Sequence, residues 1–109
     1  MQILQPAFRI EEGEKKDGLL EVFSDKYCRA ILESIMDKPK SVMEITAESR
    51  IPISTVYRRV QMLHDNKLLA TSGIINEEGK RLFLYKSKIK AMQCNFNNGK
   101  VEVELILNN

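Results

Sequence analysis

The stretch that decides the fold is IPISTVYRRVQMLHD, residues 51–65. Pro52 lacks an amide proton, which costs nothing at a helix start where that donor has no intrahelical partner. Val56, Val60 and Leu63 follow at i, i+4 and i+7, one inward seam of a helix predicted over about residues 53–65. The outward positions carry Ser54, Thr55, Arg58, Arg59, Gln61 and Asp65, and the helix runs out at Asn66-Lys67. This is an amphipathic rod whose exposed side is polar and partly cationic.

Working upstream, Ser41-Val42-Met43-Glu44 has the form of a capping box, with serine at the cap and glutamate three residues later. A short helix is expected to follow it, burying Val42 or Met43, Ile45, and Thr46 or Ala47. Before that, Ser24 offers an N-cap with Asp25 in the first turn, where a negative charge suits the helix dipole. Tyr27, Ala30, Ile31, Ser34 and Ile35 recur at three- and four-residue spacing and predict one buried stripe. Lys38-Pro39 stops this helix, because proline breaks the hydrogen-bond ladder and restricts the residue before it. Leu19, Leu20, Val22 and Phe23 suggest a short leading turn or helix. Glu11 to Gly18 reads as a polar loop closed by the turn-favouring pair Asp17-Gly18. Ile3, Leu4, Ala7, Phe8 and Ile10 suit a short strand or docking arm, and Pro6 argues against a central strand.

Downstream the period changes from helix to strand. Leu69 to Ile75 and Leu82 to Lys86 are extended candidates joined by Asn76-Glu77-Glu78-Gly79, a tight polar turn. A second hairpin centres on Asn98-Gly99, a pair that tolerates the positive φ both turn positions need. That register sets Phe96 opposite Val101, Cys94 opposite Val103, and Met92 opposite Leu105. All six share one face, leaving Gln93, Asn95, Glu102 and Glu104 on the other. A lone hairpin is marginal in water, so its apolar face must pack on the chain's own helices and amino-terminal arm or on a second copy.

The chain has 109 residues, 43% hydrophobic and 29% charged, a balance typical of a folded soluble protein. Charges interrupt every apolar run well before the ~18 residues of a membrane span. MQILQPAFRI lacks the features of a secretory signal, so a cytoplasmic location is expected. The net charge of +2 and pI near 8.6 fall short of the strongly basic values usual for nucleic-acid-binding domains. The distribution says more. Glu11, Glu12, Glu14 and Asp17 crowd one stretch, while residues 80–90 carry Lys80, Arg81, Lys86, Lys88 and Lys90 with no acid. If the second stretch lies on one surface, it forms a positive face suited to phosphates.

Cys28 and Cys94 have no Cys or His at metal-ligand spacing, so no metal or cofactor is expected, and both read as small core residues. The single histidine, His64, reads as a helix-surface residue. One histidine, no nucleophile elbow and no phosphate-binding glycine loop give no basis for an enzyme.

Two helices joined by a few residues, the second bearing Ser-Thr-Val-Tyr-Arg-Arg, then a basic hairpin: this grammar predicts an α+β winged helix-turn-helix, a three-helix core with a β-hairpin wing and an additional carboxy-terminal β-hairpin. Residues 1–18 would be an arm or loop, 19–88 the winged helix-turn-helix, and 89–109 a terminal hairpin that could dimerise. The small hydroxyls of Ser54 and Thr55 let a helix end approach a duplex closely. Arginine pairs with guanine O6 and N7 through two parallel bonds, or clamps a phosphate. Tyr57 suits a phosphate bond through its hydroxyl, or packing of its ring between helices. Ser41, Ser54, Thr55, Tyr57, Arg58, Arg59, Lys80 and Arg81 are the candidate contacts to double-stranded DNA.

Over about residues 19–90 the sequence resembles the DNA-binding domain of ArsR-like and related archaeal and bacterial transcription regulators. The resemblance rests most on Ser24-Asp25, on Ile53 to Arg59, and on Leu63 followed by Asn66-Lys67-Leu68-Leu69. It implies a sequence-specific DNA-binding regulator with the Ser-Thr-Val helix in the major groove, a wing over 74–82 on the backbone with its tip at Asn76–Gly79, and a homodimer. The sequence departs from that family in three ways. The paired cysteines of metal-sensing members are missing, which argues against a metal sensor. Glu77 and Glu78 occupy the wing tip, where they would repel phosphates and leave Lys80 and Arg81 as the backbone contacts. The long carboxy-terminal dimerisation helix is replaced by the Asn98-Gly99 hairpin. The rival expectation is a winged-helix protein-interaction module that binds no DNA.

Overall fold

The computed structural model describes residues 7–10 and 13–109. Its elements run β1 (Ala7–Ile10), α1 (Gly13–Ser24), α2 (Lys26–Ser34), α3 (Val42–Ser49), α4 (Ile53–Asp65), β2 (Leu69–Ile75), β3 (Arg81–Ser87), β4 (Ile89–Asn97) and β5 (Lys100–Leu107). Helices α2, α3 and α4 form the expected trihelical core, β2 and β3 make the wing, and a second antiparallel sheet has the order β1-β5-β4. The fold is the predicted α+β winged helix with an additional terminal hairpin. No helix among the described residues is long and apolar enough to cross a membrane.

The core is built from the stripes that each helix turns inward. Val56, Val60 and Leu63 of α4 are all buried, as their spacing predicts. On α3 the buried pair is Val42 and Ile45, whereas Met43 and Ala47 face outward. The α2 stripe is rotated from the expectation. Cys28, Ile31, Leu32 and Ile35 are buried, while Ala30 is exposed and Tyr27 and Ser34 are half-buried. The helix also starts one residue later than expected. Asp25, not Ser24, is the N-cap, and its carboxylate accepts the Cys28 amide at 2.8 Å. Ser24 instead ends α1, its hydroxyl donating to the Glu21 carbonyl.

The Ser41 capping box forms in both directions, with the Ser41 hydroxyl accepting the Glu44 amide and the Glu44 carboxylate accepting the Ser41 amide. Arg50 closes α3 in the left-handed region at φ 60°, and buried Ile51 leads through Pro52 into α4. This compact turn fixes the angle between the two helices.

The polar loop expected over Glu11–Gly18 is replaced by helix. α1 covers Gly13–Ser24, so it crosses the boundary expected between residues 18 and 19; Glu11 and Glu12 lie outside the described residues. Gly18 serves close packing instead of a turn, since a Cβ there would stand 2.5 Å from the Asn66 side-chain oxygen at the end of α4. Leu19 and Val22 are buried beside it, and Lys16 donates to the Val101 carbonyl at 2.7 Å, tying α1 to β5.

Both expected hairpins form, and the terminal one takes the predicted register. In the wing, Thr71 faces Tyr85, Gly73 faces Phe83 and Ile75 faces Arg81. In the terminal sheet, Met92 faces Leu105, Cys94 faces Val103 and Phe96 faces Val101, with Asn98 and Gly99 at φ 54° and 75°. β1 of the arm adds on the far side of β5, pairing Phe8 with Leu105, which makes it an edge strand. The other expected arm residues, Ile3 and Leu4, lie outside the described residues. A register shift between Ile89 and Ala91 leaves Lys90 unpaired and turns Ile89 and Met92 to the same face.

That face largely finds its partner within the chain. Val103 and Leu105 are buried, and Met92 and Val101 pack against the core. Coverage is uneven across the two strands: Val101 and Val103 of β5 pack inward, whereas their partners on β4 do not, Phe96 being 76% exposed and Cys94, expected in the core, also exposed.

Candidate nucleic-acid interface

The outward face of α4 is a continuous stripe. Ser54, Tyr57, Arg58, Gln61, His64 and Asp65 are all exposed, at the three- and four-residue steps that align side chains on one side of a helix. The buried seam lies opposite and holds the rod against α2 and α3. Tyr57 is 57% exposed, so its ring is not consumed by the helix-helix interface. The Gln61 amide donates to the Asp65 carboxylate at 2.8 Å, which braces the stripe one turn on.

The two arginines have different surroundings. Arg58 belongs to the exposed stripe. Arg59 lies one position around the helix, on the flank it shares with Thr55 and Met62, and is half-buried. Its Nε donates to Asp25 Oδ2 at 2.9 Å, and its guanidinium lies 5.5 Å from the centroid of the Tyr27 ring. The oxygen that caps α2 therefore also holds the recognition-helix candidate α4. Burial alone would push the Asp25 carboxyl up, but the Arg59 and Cys28 hydrogen bonds outweigh it and hold it below its usual range. The Asp25 bond in turn strengthens the charge on Arg59. Cys28 beneath this cluster is a neutral core thiol: burial first, then the Asp25 carboxylate, push it up to about 12. Its Sγ rests 3.9 Å from Met62 Sδ.

Ser41, also predicted as a contact, is only 8% exposed and its hydroxyl is engaged as the cap of α3. Thr55 is half-buried. Sequence reasoning left Gln61 and His64 out of the contact set. Both were visible as outward positions of the helix, and their exposure puts them in the stripe with Arg58.

The wing is anchored at its base and free at its tip. Lys40 and Tyr85 exchange two backbone bonds of 3.0 and 2.8 Å, joining β3 to the segment before α3. At the tip, Asn76 Oδ1 accepts the amides of Glu78 and Lys80 at 3.0 and 2.9 Å, an arrangement that pins the turn. Glu77, Glu78, Lys80 and Arg81 are all exposed. By register, Arg81 shares a strand face with Phe83 and Tyr85. Those two aromatics, with Val60, Gln61 and His64, line a shallow depression between wing and α4. Arg81 thus stands on the side of the wing that looks toward the helix stripe.

The basic run does not lie on one surface. Lys86 falls on the opposite strand face from Arg81 and donates to the Asn109 carbonyl at 2.9 Å. Lys88 lies past the wing, lining a cavity at the carboxy-terminal end of α4. Strand alternation and the change of sheet after Ser87 scatter the cations that the linear sequence groups together. Among the described residues no group of His, Cys, Asp and Glu could hold a metal ion.

No protein-family profile and no curated protein matches the sequence. Solved structures do match. An ArsR family transcriptional regulator superposes with a TM-score of 0.56 at 16% identity, covering 67% of this chain and 75% of the other. NolR from Sinorhizobium fredii gives 0.55 at 18% identity, with 68% and 69% covered. HlyU from Vibrio cholerae gives 0.54 at 22% identity, with 68% and 75% covered. At these identities the likeness is one of backbone, and it agrees with the helix-turn-helix and wing described above: the chain has the winged-helix fold found in ArsR-type transcriptional regulators.

Proposed function

We propose that this chain is a DNA-binding transcription regulator that sets α4 in the major groove and the base-proximal wing residues on the phosphate backbone. The observation that carries the reading is the exposed stripe of Ser54, Tyr57, Arg58 and Gln61, backed by a fully buried seam and flanked by Arg81 on the facing side of the wing. A rigid helix with a polar, cationic outer side is what a groove accepts. Arg58 is the base reader. Arg59, tied to Asp25, fixes the pitch of the helix, and Lys80 and Arg81 contact phosphates. The regulators with similar backbones support this assignment at the level of fold.

Titration of a mixed-sequence duplex by fluorescence anisotropy at low salt tests the proposal. Binding should be measurable there and fall steeply as salt rises, because each phosphate contact releases counterions. Absence of binding at low salt would overturn it.

A second reading, a winged-helix module that binds protein, draws on a different observation. The wing carries exposed Ile74, Ile75 and Phe83 next to an acidic tip of Glu77 and Glu78. The anisotropy result separates the two. We also infer a homodimer, supported by the open outer edge of β4 in the terminal sheet and by exposed Phe96 at its end. Light scattering that gives the monomer mass at the DNA-binding concentration would refute it.

A further inference from the structure

A cavity of about 280 Å³ opens at the carboxy-terminal end of α4, where Asp65, the last residue of the helix, forms part of its lining. Three parts of the fold meet there: α1 through Leu19, the turn leaving α4 through Asp65 to Leu68, and the terminal sheet through Ile89 and Leu105. Its volume lies just below the ~300–1,000 Å³ range of small-molecule sites, so it suits a ligand of few heavy atoms. The floor is hydrocarbon: Leu19, Leu68, Ile89 and Leu105 are each no more than 4% exposed.

The mouth is cationic. Lys67 and Lys88 line it, and among the described lining residues the one acid is Asp65, whose Oδ1 already accepts the Gln61 amide. Lys67 and Lys88 are exposed, so they stand at its mouth. A lysine beside the end of a helix commonly serves the carbonyls of the last turn. Here the Met62, Leu63 and His64 carbonyls accept the amides of Asn66, Leu68 and Lys67, so the Lys67 and Lys88 ammonium groups are not required for that task. The mouth is also held in shape, because the Lys88 amide donates to the Leu68 carbonyl at 2.8 Å.

We propose that this cavity binds a small amphipathic carboxylate, with its hydrocarbon tail on the Leu19, Leu68 and Leu105 floor and its carboxylate paired with Lys67 and Lys88. The occupant is argued from charge complementarity: an apolar interior excludes a fully polar ion, and a cationic mouth disfavours an amine. Occupancy would brace the turn that joins α4 to the wing, and any resulting effect on DNA affinity rests on the DNA reading above. Binding itself does not.

The test is calorimetry on the full chain at low salt without DNA, so that failure of the DNA reading leaves it untouched. Octanoate should bind saturably at one site, and shortening to hexanoate should weaken it by about four-fold per methylene removed. Octylammonium should bind at least ten-fold more weakly than octanoate. The double substitution Lys67→Glu with Lys88→Glu should weaken octanoate at least ten-fold and reverse the preference between the two head groups. No heat with millimolar octanoate, or equal binding of octanoate and octylammonium, would overturn the proposal. The wild-type ligand series decides the matter even if the double variant fails to fold.

Discussion

Asp25 is the residue on which two elements of the reading head converge. Its Oδ2 accepts the Cys28 amide at 2.8 Å as the cap of α2 and the Arg59 Nε at 2.9 Å from α4. Asp25→Ala removes both bonds, whereas Asp25→Asn leaves a competent cap and removes the charge. Loss of an N-cap costs about 1 kcal/mol, within a range of roughly 0.5–2. The ion pair contributes less, because both side chains keep water contact, at 26% exposure for Arg59 and 23% for Asp25. A loss of about 1 kcal/mol lowers Tm by roughly 4–8 °C in a domain of about this size. Thermal melts followed by circular dichroism should therefore place Asp25→Ala several degrees below wild type and Asp25→Asn most of the way back.

Acid provides the second arm of the same experiment. The folded-state carboxyl of Asp25 lies below its ordinary 3.8. Its charge-dependent stabilisation is therefore complete above about pH 4 and is lost as pH falls through the lowered folded value. The gap between wild type and Asp25→Ala should narrow below pH 4. If Asp25→Asn melts as low as Asp25→Ala, the cap is not the larger share. If Asp25→Ala melts like wild type at pH 7, the convergence on this oxygen has no energetic meaning.

Further expectations concern the interface and the frame. Arg58→Ala should weaken binding to a preferred duplex by roughly 1–3 kcal/mol and relax its sequence preference. Arg59→Ala should lower Tm and leave the preference largely intact. Melting curves and anisotropy on both variants check this pair, and interchange of the two outcomes would reverse the assigned docking. Lys80→Ala should weaken binding to all duplexes alike and flatten the salt dependence, as log-log titrations would reveal. Leu63→Ala empties a fully buried site in the α4 seam and should cost about 2–5 kcal/mol in urea denaturation. Gly99→Ala places a Cβ at φ 75° and should cost about 1–2 kcal/mol by the same measurement.

What the sequence made legible was local. The α4 seam, the Ser41 capping box and the register of the terminal hairpin each rest on residues within one or two turns or across one tight loop. What it hid was long-range. Asp17-Gly18 looks like a turn until Asn66, distant in sequence, is seen to occupy the space a side chain at Gly18 would need. Arg58 and Arg59 are neighbours with the same chemistry, and only the position of Asp25 distinguishes the free one from the tethered one. Cys94 obeys the hairpin's alternation, yet alternation cannot say which of the two strands is covered: Val103 opposite it on the central strand is fully buried, while Cys94 on the outer strand is exposed. The run of lysines after Lys80 is a property of the chain and not of any surface, because the strand faces and the change of sheet disperse it.

The projecting wing and terminal hairpin give the molecule extents of 55 × 36 × 22 Å and a radius of gyration of 15.3 Å. A compact chain of this length would have about 13 Å. Such a particle tumbles and sieves like a heavier one. A single copy would leave a gel-filtration column ahead of globular standards of its own 12.6 kDa, at an apparent mass roughly 1.5-fold too high, and elution volume by itself would fall between one copy and two. Scattered intensity, which weighs the particle irrespective of its outline, is the reading that distinguishes one copy from two.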